Sequence, residues 1–430
     1  MRIARLPAFA TAGALLLSVQ LSVPAAASTP LVIGIDYADP ANQQPQAGRL
    51  FEYTDFFSRE VSVHSGDTIN FRVAPGSFHV VALASNESVA RQVYPVTFAD
   101  NDGGGATDIA AGSGTNKLVF GPSNYPITGG CDNGQCNPTI SFNNAFGPPV
   151  CGVAALGENP CTFSGGHDIE VFGPNVGLNF ATGQPAFVDQ LVHITAPVGT
   201  YDYFCYIHPG MRGKLRVVAS QPVSTQAEID ARSWSQFVSD RGQALAAERH
   251  ANHVEVSGEE PGSRSYTVHV GIAAAHNHVA IDEMFPNRPL NLTPGDTVRY
   301  LWRDPHNFHS VTFPAGNPSA PQVQPFGFDC GAGYNGIPFP PGQPLVCLEP
   351  GDAQFEVIGE PGNAGPGTVL KDPSLVVDAG VLGGTGYGVF PSAQSWSLRT
   401  NDSSKPGAYH FQCTIHDWMQ GTLNVSAGEE

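Results

Sequence analysis

The stretch Tyr201-Asp-Tyr-Phe-Cys205-Tyr-Ile-His208-Pro-Gly-Met211-Arg-Gly sets a thiol, an imidazole and a thioether three residues apart. A second copy stands near the C-terminus, Tyr409-His-Phe-Gln-Cys413-Thr-Ile-His416-Asp-Trp-Met419-Gln-Gly. The chain has four methionines, and two of them occupy this one position. Chance is therefore a poor explanation of the pattern.

Cysteine sulfur, histidine nitrogen and a weak axial methionine suit a blue-copper site, which needs one further histidine. In the first half that residue is His79, on the apolar run Phe78-His-Val-Val-Ala-Leu83. His64 precedes a turn and is expected to be solvated. In the second half His306 and His309 compete. Pro305-His306-Asn307 looks like a ligand tripeptide, but His309-Ser-Val-Thr-Phe313 reproduces the strand register of His79, which favours His309. His306 then caps the turn or stands behind the ligands.

Working outward, Arg59–His64 and Thr68–Val73 alternate around the turn Ser65-Gly-Asp67, and Phe78–Leu83 follows. Strands resume at Leu191–Thr195 and close with Lys214–Val218. The second half repeats this order. Arg288 and Gly295-Asp-Thr297 match Arg59 and Gly66-Asp-Thr68 at one offset, before Val298–Trp302, His309–Phe313, Ser395–Arg399 and Leu423–Val425. Between the halves, Ser224 to Arg249 places Ile229, Trp234, Phe237, Val238 and Leu245 at near-helical spacing, with Ser224 or Thr225 as N-cap. That helix is expected to pack between the domains.

At these residues the chain resembles a known family. Each half is similar to a cupredoxin, the small blue-copper sandwich of plastocyanin, azurin and amicyanin, and the Cys-x-x-His-x-x-Met spacing is that of amicyanin. The resemblance covers the strands of both halves, but not the insertions, the linker or the leader. It implies an all-β chain of two Greek-key sandwiches joined by a helical linker. It implies two coppers per chain, one on His79, Cys205, His208 and Met211, the other on His309, Cys413, His416 and Met419. His208 and His416 would present their edges to solvent and pass single electrons to and from redox proteins or small donors and acceptors.

The expected organisation is a signal peptide at 1–27, a first domain at 28–219, a helical linker at 220–262 and a second domain at 263–430. Arg2 and Arg5 precede an apolar run from Ala10 to Leu21 and the small residues Ala25-Ala-Ala27, which together read as a secretory signal. A secreted or periplasmic location follows. Losing those two arginines takes the formal charge from −18 to −20. Such acidity argues against nucleic acid and anionic lipid as partners. Residues 28–50 read as a leader with one edge strand, and 100–165 as an inserted loop, stapled or serving as a lid.

Setting aside Cys205 and Cys413 leaves six cysteines, an even number that reads as three disulfides in an exported chain. Cys330–Cys347 is one pair, and Cys131–Cys136 with Cys151–Cys161 is the favoured arrangement of the others. The alternative functions are a multicopper oxidase or nitrite-reductase-like enzyme, and a copper-storage module. The first would use His276 and His278, placed on one strand face by alternation, with His250 and His253 near in sequence. Against it, Phe204 and Tyr206 flank Cys205, and Gln412 and Thr414 flank Cys413, so no histidine links either thiol to a second metal. His410, three residues before Cys413, does not substitute. Trp418 and Tyr206 are candidates for shielding the metal or assisting electron exit.

Overall fold

The structure is a computed structural model. It describes residues 29–37, 51–100, 160–316, 364–382 and 395–427, without 76, 94–95, 180–183, 207, 209, 308 and 414–417. Short strands at 115–120, 131–132, 135–136, 140–143, 324–329 and 354–358 are also described. The expected signal at 1–27, most of both insertions and His416 lie outside the described residues. Cys161 is disulfide-bonded. The other five cysteines of the expected bridges have side chains outside the described residues, although the backbones of Cys131 and Cys136 face each other in a short ladder.

The architecture is all-β, and each half of the chain builds two facing sheets. In the first half one sheet runs Cys161–Phe163, Val188–Ile194, Thr68–Val73, Leu31–Ile35, Phe56–Phe57. The other runs Ile140–Asn143, Ile169–Val176, Phe78–Ala84, Gly199–Cys205, Arg212–Val218, Glu60–His64. Alternation drives this. Val188, Gln190, Val192 and Ile194 point inward, as do Leu215 and Val217 from the facing sheet. Ile33, Phe71, Val81, Phe172 and Tyr203 fill the space between.

In the second half the larger sheet includes Val279–Phe285, Ser265–Ala274, Thr297–Arg303 and Ser395–Arg399. The smaller runs Leu290–Leu292, Gln420–Val425, Gly407–Gln412, His309–Phe313, Val377–Leu382. Val268, Tyr300, Phe313, Trp396 and Phe411 lie between them.

The two halves repeat one another down to single hydrogen bonds. Gly66 and Gly295 have φ of 103° and 101°, a left-handed conformation that favours glycine. Beside them the carboxylates of Asp67 and Asp296 accept the backbone N–H of His64 at 2.7 Å and of Thr293 at 2.8 Å. The Tyr201 hydroxyl donates to Pro197 O at 3.0 Å, and that of Tyr409 to Lys405 O at 2.8 Å. Each tyrosine thus pins the corner leading into its cysteine strand. Two residues after each motif methionine stands a glycine, Gly213 or Gly421, beneath the ring of its cross-strand partner, Tyr203 or Phe411. A Cβ there would lie 2.2 Å and 2.1 Å from ring carbons, so only glycine admits the aromatic cover.

The linker helix spans Gln226–Ala251, and of the two N-cap candidates Thr225 fills the role, in a capping box with Glu228. It packs between the halves as expected, through Ile229, Phe237, Ala244 and Ala251. Phe237 stacks on Tyr37 with centroids 3.9 Å apart and joins a core with Tyr53, Phe57, Ile281 and Phe285. Trp234 and Val238, expected on the apolar face, are instead 59 % and 50 % exposed. The buried stripe is narrower than the sequence suggests.

Two further expectations are corrected, and one strand pairs across the halves. Leu31–Ile35 is not an edge strand; it lies inside its sheet, parallel to Thr68–Val73 and flanked by Phe56–Phe57. Residues 100–165 are not wholly loop. Thr115–Phe120 pairs both with Val96–Asp100 and with Gln354–Ile358 from the second insertion, so the two insertions share a sheet. Finally, Phe51–Glu52, inside the expected first domain, pairs with Ile281 and Ala280 in the second-half sheet. Among the described residues, no helix is long and apolar enough to cross a membrane.

Candidate metal centre

Three adjacent strands of the first half bring the first ligand set together. Phe78–Ala84 carries His79, and its neighbour Gly199–Cys205 ends on Cys205. The loop into Arg212–Val218 carries His208 and Met211. His79 Nδ1 lies 3.0 Å from His208 Nδ1, and Cys205 Sγ 3.2 Å from the same atom. Donors that share a metal at about 2.0–2.3 Å stand about 3–4 Å apart, so these three fit one ion. His79, Cys205 and Met211 are fully buried.

The loop is held by its own backbone. Cys205 N–H donates to Met211 O at 2.9 Å, and Val80 N–H donates to Cys205 Sγ at 3.4 Å. Arg91, on a short helix Glu87–Val93 not expected from the sequence, donates to the carbonyls of Cys205 at 2.6 Å and Tyr206 at 3.0 Å. Its guanidinium stacks 5.0 Å above the Phe204 ring.

Behind His79 stands Asp36, with Oδ2 3.8 Å from Nε2. Asp36 is itself fixed by Tyr53 N–H at 3.0 Å and the Ser77 hydroxyl at 2.7 Å. Burial lowers the His79 pKa, but Asp36 and Cys205 outweigh it and raise the value to about 9. His208 is held well below the ordinary range by burial, then by His79, His306 and Arg91.

The second half reproduces the parts described there. Cys413 N–H donates to Met419 O at 2.9 Å, and Ser310 N–H donates to Cys413 Sγ at 3.3 Å. The thiol's donor is therefore the residue after His309, as it is the residue after His79. His309, Cys413 and Met419 are fully buried. His309 Nε2 lies 3.4 Å from Asp304 Oδ2 and 3.9 Å from Asp282 Oδ1. Burial lowers the His309 pKa to about 3, so a neutral ring meets Asp304 at hydrogen-bond distance, while Asp282 stands just beyond it. Gly271, at φ 66° in a bulge, makes room for the ring; a Cβ there would stand 2.3 Å from Nε2.

His306 points elsewhere. It is buried, its N–H donates to Asp304 Oδ1 at 2.8 Å, and its ring meets that of His208 with centroids 6.2 Å apart. A residue of the second half therefore covers the first half's His208, which is only 7 % exposed. The expectation that His208 shows its edge to solvent is corrected, because the turn 304–307 packs against it. Asn307 clamps that turn, its Nδ2 donating to Glu52 Oε2 at 3.0 Å and Asp282 Oδ1 at 3.1 Å.

His276 and His278 do not share a strand face. They lie in the turn between Ser265–Ala274 and Val279–Phe285, where Ala275, His276 and Asn277 have φ of 51°, 56° and 67°. Alternation fails where the backbone turns left-handed. Trp418 is half-buried and donates to Asp282 O at 3.0 Å, Tyr206 is buried, and His410 is exposed with Nδ1 3.0 Å from Thr422 Oγ1. His64 is half-buried rather than fully solvated.

Asp36, Glu52, Asp282, Asp304 and Gly271 carry no motif in the sequence. Only the Asp304-Pro-His-Asn307 cluster offered a signal, through the capping role expected of His306.

No protein-family model matches the chain, and no curated protein matches it. Solved structures that match include amicyanins. A Cu(I) amicyanin variant is 16 % identical over 40 % of this chain and 98 % of its own, with a TM-score of 0.17. A reduced Cu(I) variant at pH 4 is 17 % identical over 41 % and 93 %, also at 0.17.

Proposed function

We propose that the chain is an exported blue-copper electron carrier, built from two cupredoxin domains at 28–219 and 263–430 with one type 1 site in each. The observation that carries this reading is the convergence of His79 Nδ1, His208 Nδ1 and Cys205 Sγ at 3.0–3.2 Å, with the Met211 thioether buried beside them. Two imidazoles, a thiolate and a thioether are the donor set of such a site. His79, Cys205, His208 and Met211 would hold the first ion, and His309, Cys413, His416 and Met419 the second. Bound copper supplies reversible one-electron chemistry. The residues fix the donors, exclude water and orient the rings. Asp304, 3.4 Å from His309 Nε2, would set that ring's orientation, as outer carboxylates do for metal-bound histidines, and Asp36 places a carboxylate 3.8 Å behind His79 Nε2. The partners would be redox proteins or small one-electron donors and acceptors.

Copper-loaded protein is expected to be intensely blue, with about two coppers per chain. Cys205→Ser and Cys413→Ser should each remove about half of the absorbance and of the matching spin-resonance signal. A colourless, copper-loaded preparation would overturn the reading. Three or more coppers per chain would favour the oxidase alternative.

A further inference from the structure

The rings of His208 and His306 meet across the boundary between the halves. His208 belongs to the first ligand set, while His306 precedes His309 by three residues on the turn that leads into the second. The chain of contacts between them is short. The His306 ring stands against His208 with centroids 6.2 Å apart and planes at 64°. The backbone N–H of His306 donates to one oxygen of Asp304 at 2.8 Å, and the other oxygen lies 3.4 Å from His309 Nε2. His208, His306, Asp304 and His309 are all buried. Asn307 braces the turn against two neighbouring strands of the second-half sheet, through Glu52 and Asp282.

An imidazole edge at the surface offers an external partner a docking point. Here that edge is occupied by a side chain of the same molecule. Electron tunnelling weakens exponentially with distance, so a ring packed against that edge is a nearer relay than a partner held outside it. We propose that the first site exchanges its electron with the second through His306 and Asp304, rather than directly with an external partner at the His208 edge.

This rests on the copper reading above. The step moves one electron: the donor site goes from Cu(I) to Cu(II), the acceptor site from Cu(II) to Cu(I), and no proton or further reactant is consumed. His306 is a positioning residue, acting through His208.

Two measurements test the proposal. The first needs no copper. Diethyl pyrocarbonate, which acylates accessible imidazoles, is applied to the metal-free chain and each histidine is followed by mass spectrometry. His208 should react more slowly than the exposed His410 by an order of magnitude or more, and His306→Ala should speed it towards the His410 rate, whereas His306→Phe should keep it covered. Equal rates for His208 and His410 in the unaltered chain would overturn the covering.

The second is rapid-mixing reduction of the copper-loaded chain by ascorbate. One blue phase should depend on ascorbate concentration and the other should not, since the latter reports the internal step. In Cys413→Ser the first site should remain blue but be reduced slower by an order of magnitude or more. In His306→Phe the concentration-independent phase should slow while both blue bands persist. Two phases both proportional to ascorbate, with the first site's rate unchanged in Cys413→Ser, would overturn the proposal. Absence of any blue band would instead sink the copper reading, and the labelling result would still judge the covering.

Discussion

Gly271→Ala is expected to cost the second site and about half of the blue absorbance, while leaving the first site intact. The new Cβ would lie 2.3 Å from His309 Nε2, 2.9 Å from its Cδ2 and 3.1 Å from Asp304 Cβ. His309 is fully buried, so its ring has little room to yield without leaving the position a ligand needs. The φ of 66° adds strain of about 1–2 kcal/mol for any residue with a Cβ. Overpacking adds about 1–3 kcal/mol more. A lower urea midpoint together with half the absorbance is the expected result. Full absorbance with an unchanged midpoint would show that Gly271 does not hold the His309 pocket open.

Arg59→Leu is expected to destabilise the chain by about 3–5 kcal/mol, because it strips the counter-charge from a buried carboxylate. Arg59 binds Asp55 through both Nε, at 2.6 Å, and a terminal nitrogen, and reaches Asp240 on the linker helix at 3.0 Å. The Asp55 side chain is fully buried and also accepts from Phe56 N–H and Gln236 Nε2, each at 2.8 Å. One guanidinium thus fastens the helix to the first half.

Burial raises the Asp55 pKa from 3.8 to about 7 even with Arg59 lowering it. The native chain therefore holds this proton more tightly than the unfolded chain does. Its contribution to stability is greatest below about pH 4 and falls as pH rises towards about 7. In Arg59→Leu the fall should continue to higher pH, because Arg59 lowers the Asp55 pKa, and adding Asp55→Asn should restore most of the lost stability. Denaturant midpoints on either side of that window measure both effects. A single variant as stable as the parent at neutral pH would refute the role of Arg59.

Much of this molecule is legible in the sequence because its signals are local. His309–Phe313 and Ser395–Arg399 are strands with the bounds expected from alternation. The helix begins at its capping threonine, and the His79, Cys205, His208, Met211 spacing lies on one loop and one neighbouring strand. What escaped depends on which half touches which. Nothing in Asp36 or Glu52 announces that they stand behind His79, since their proximity comes from pairing of distant strands. His306 was visible as a histidine on a turn, but its neighbour His208 lies in the other half. His276 and His278 were misplaced because periodicity assumes an extended backbone, and three consecutive left-handed residues break that assumption.

The two-residue strand Phe51–Glu52 has a consequence for modularity. Although it precedes most of the first half, it completes the second-half sheet beside Val279–Phe285. Severing the polypeptide in the linker would leave that sheet with a bare, adhesive margin and the other fragment with a dangling tongue. Halves produced separately should clump, and mixing them should restore a soluble pair. Neither half is therefore a self-contained module that could be moved without the other.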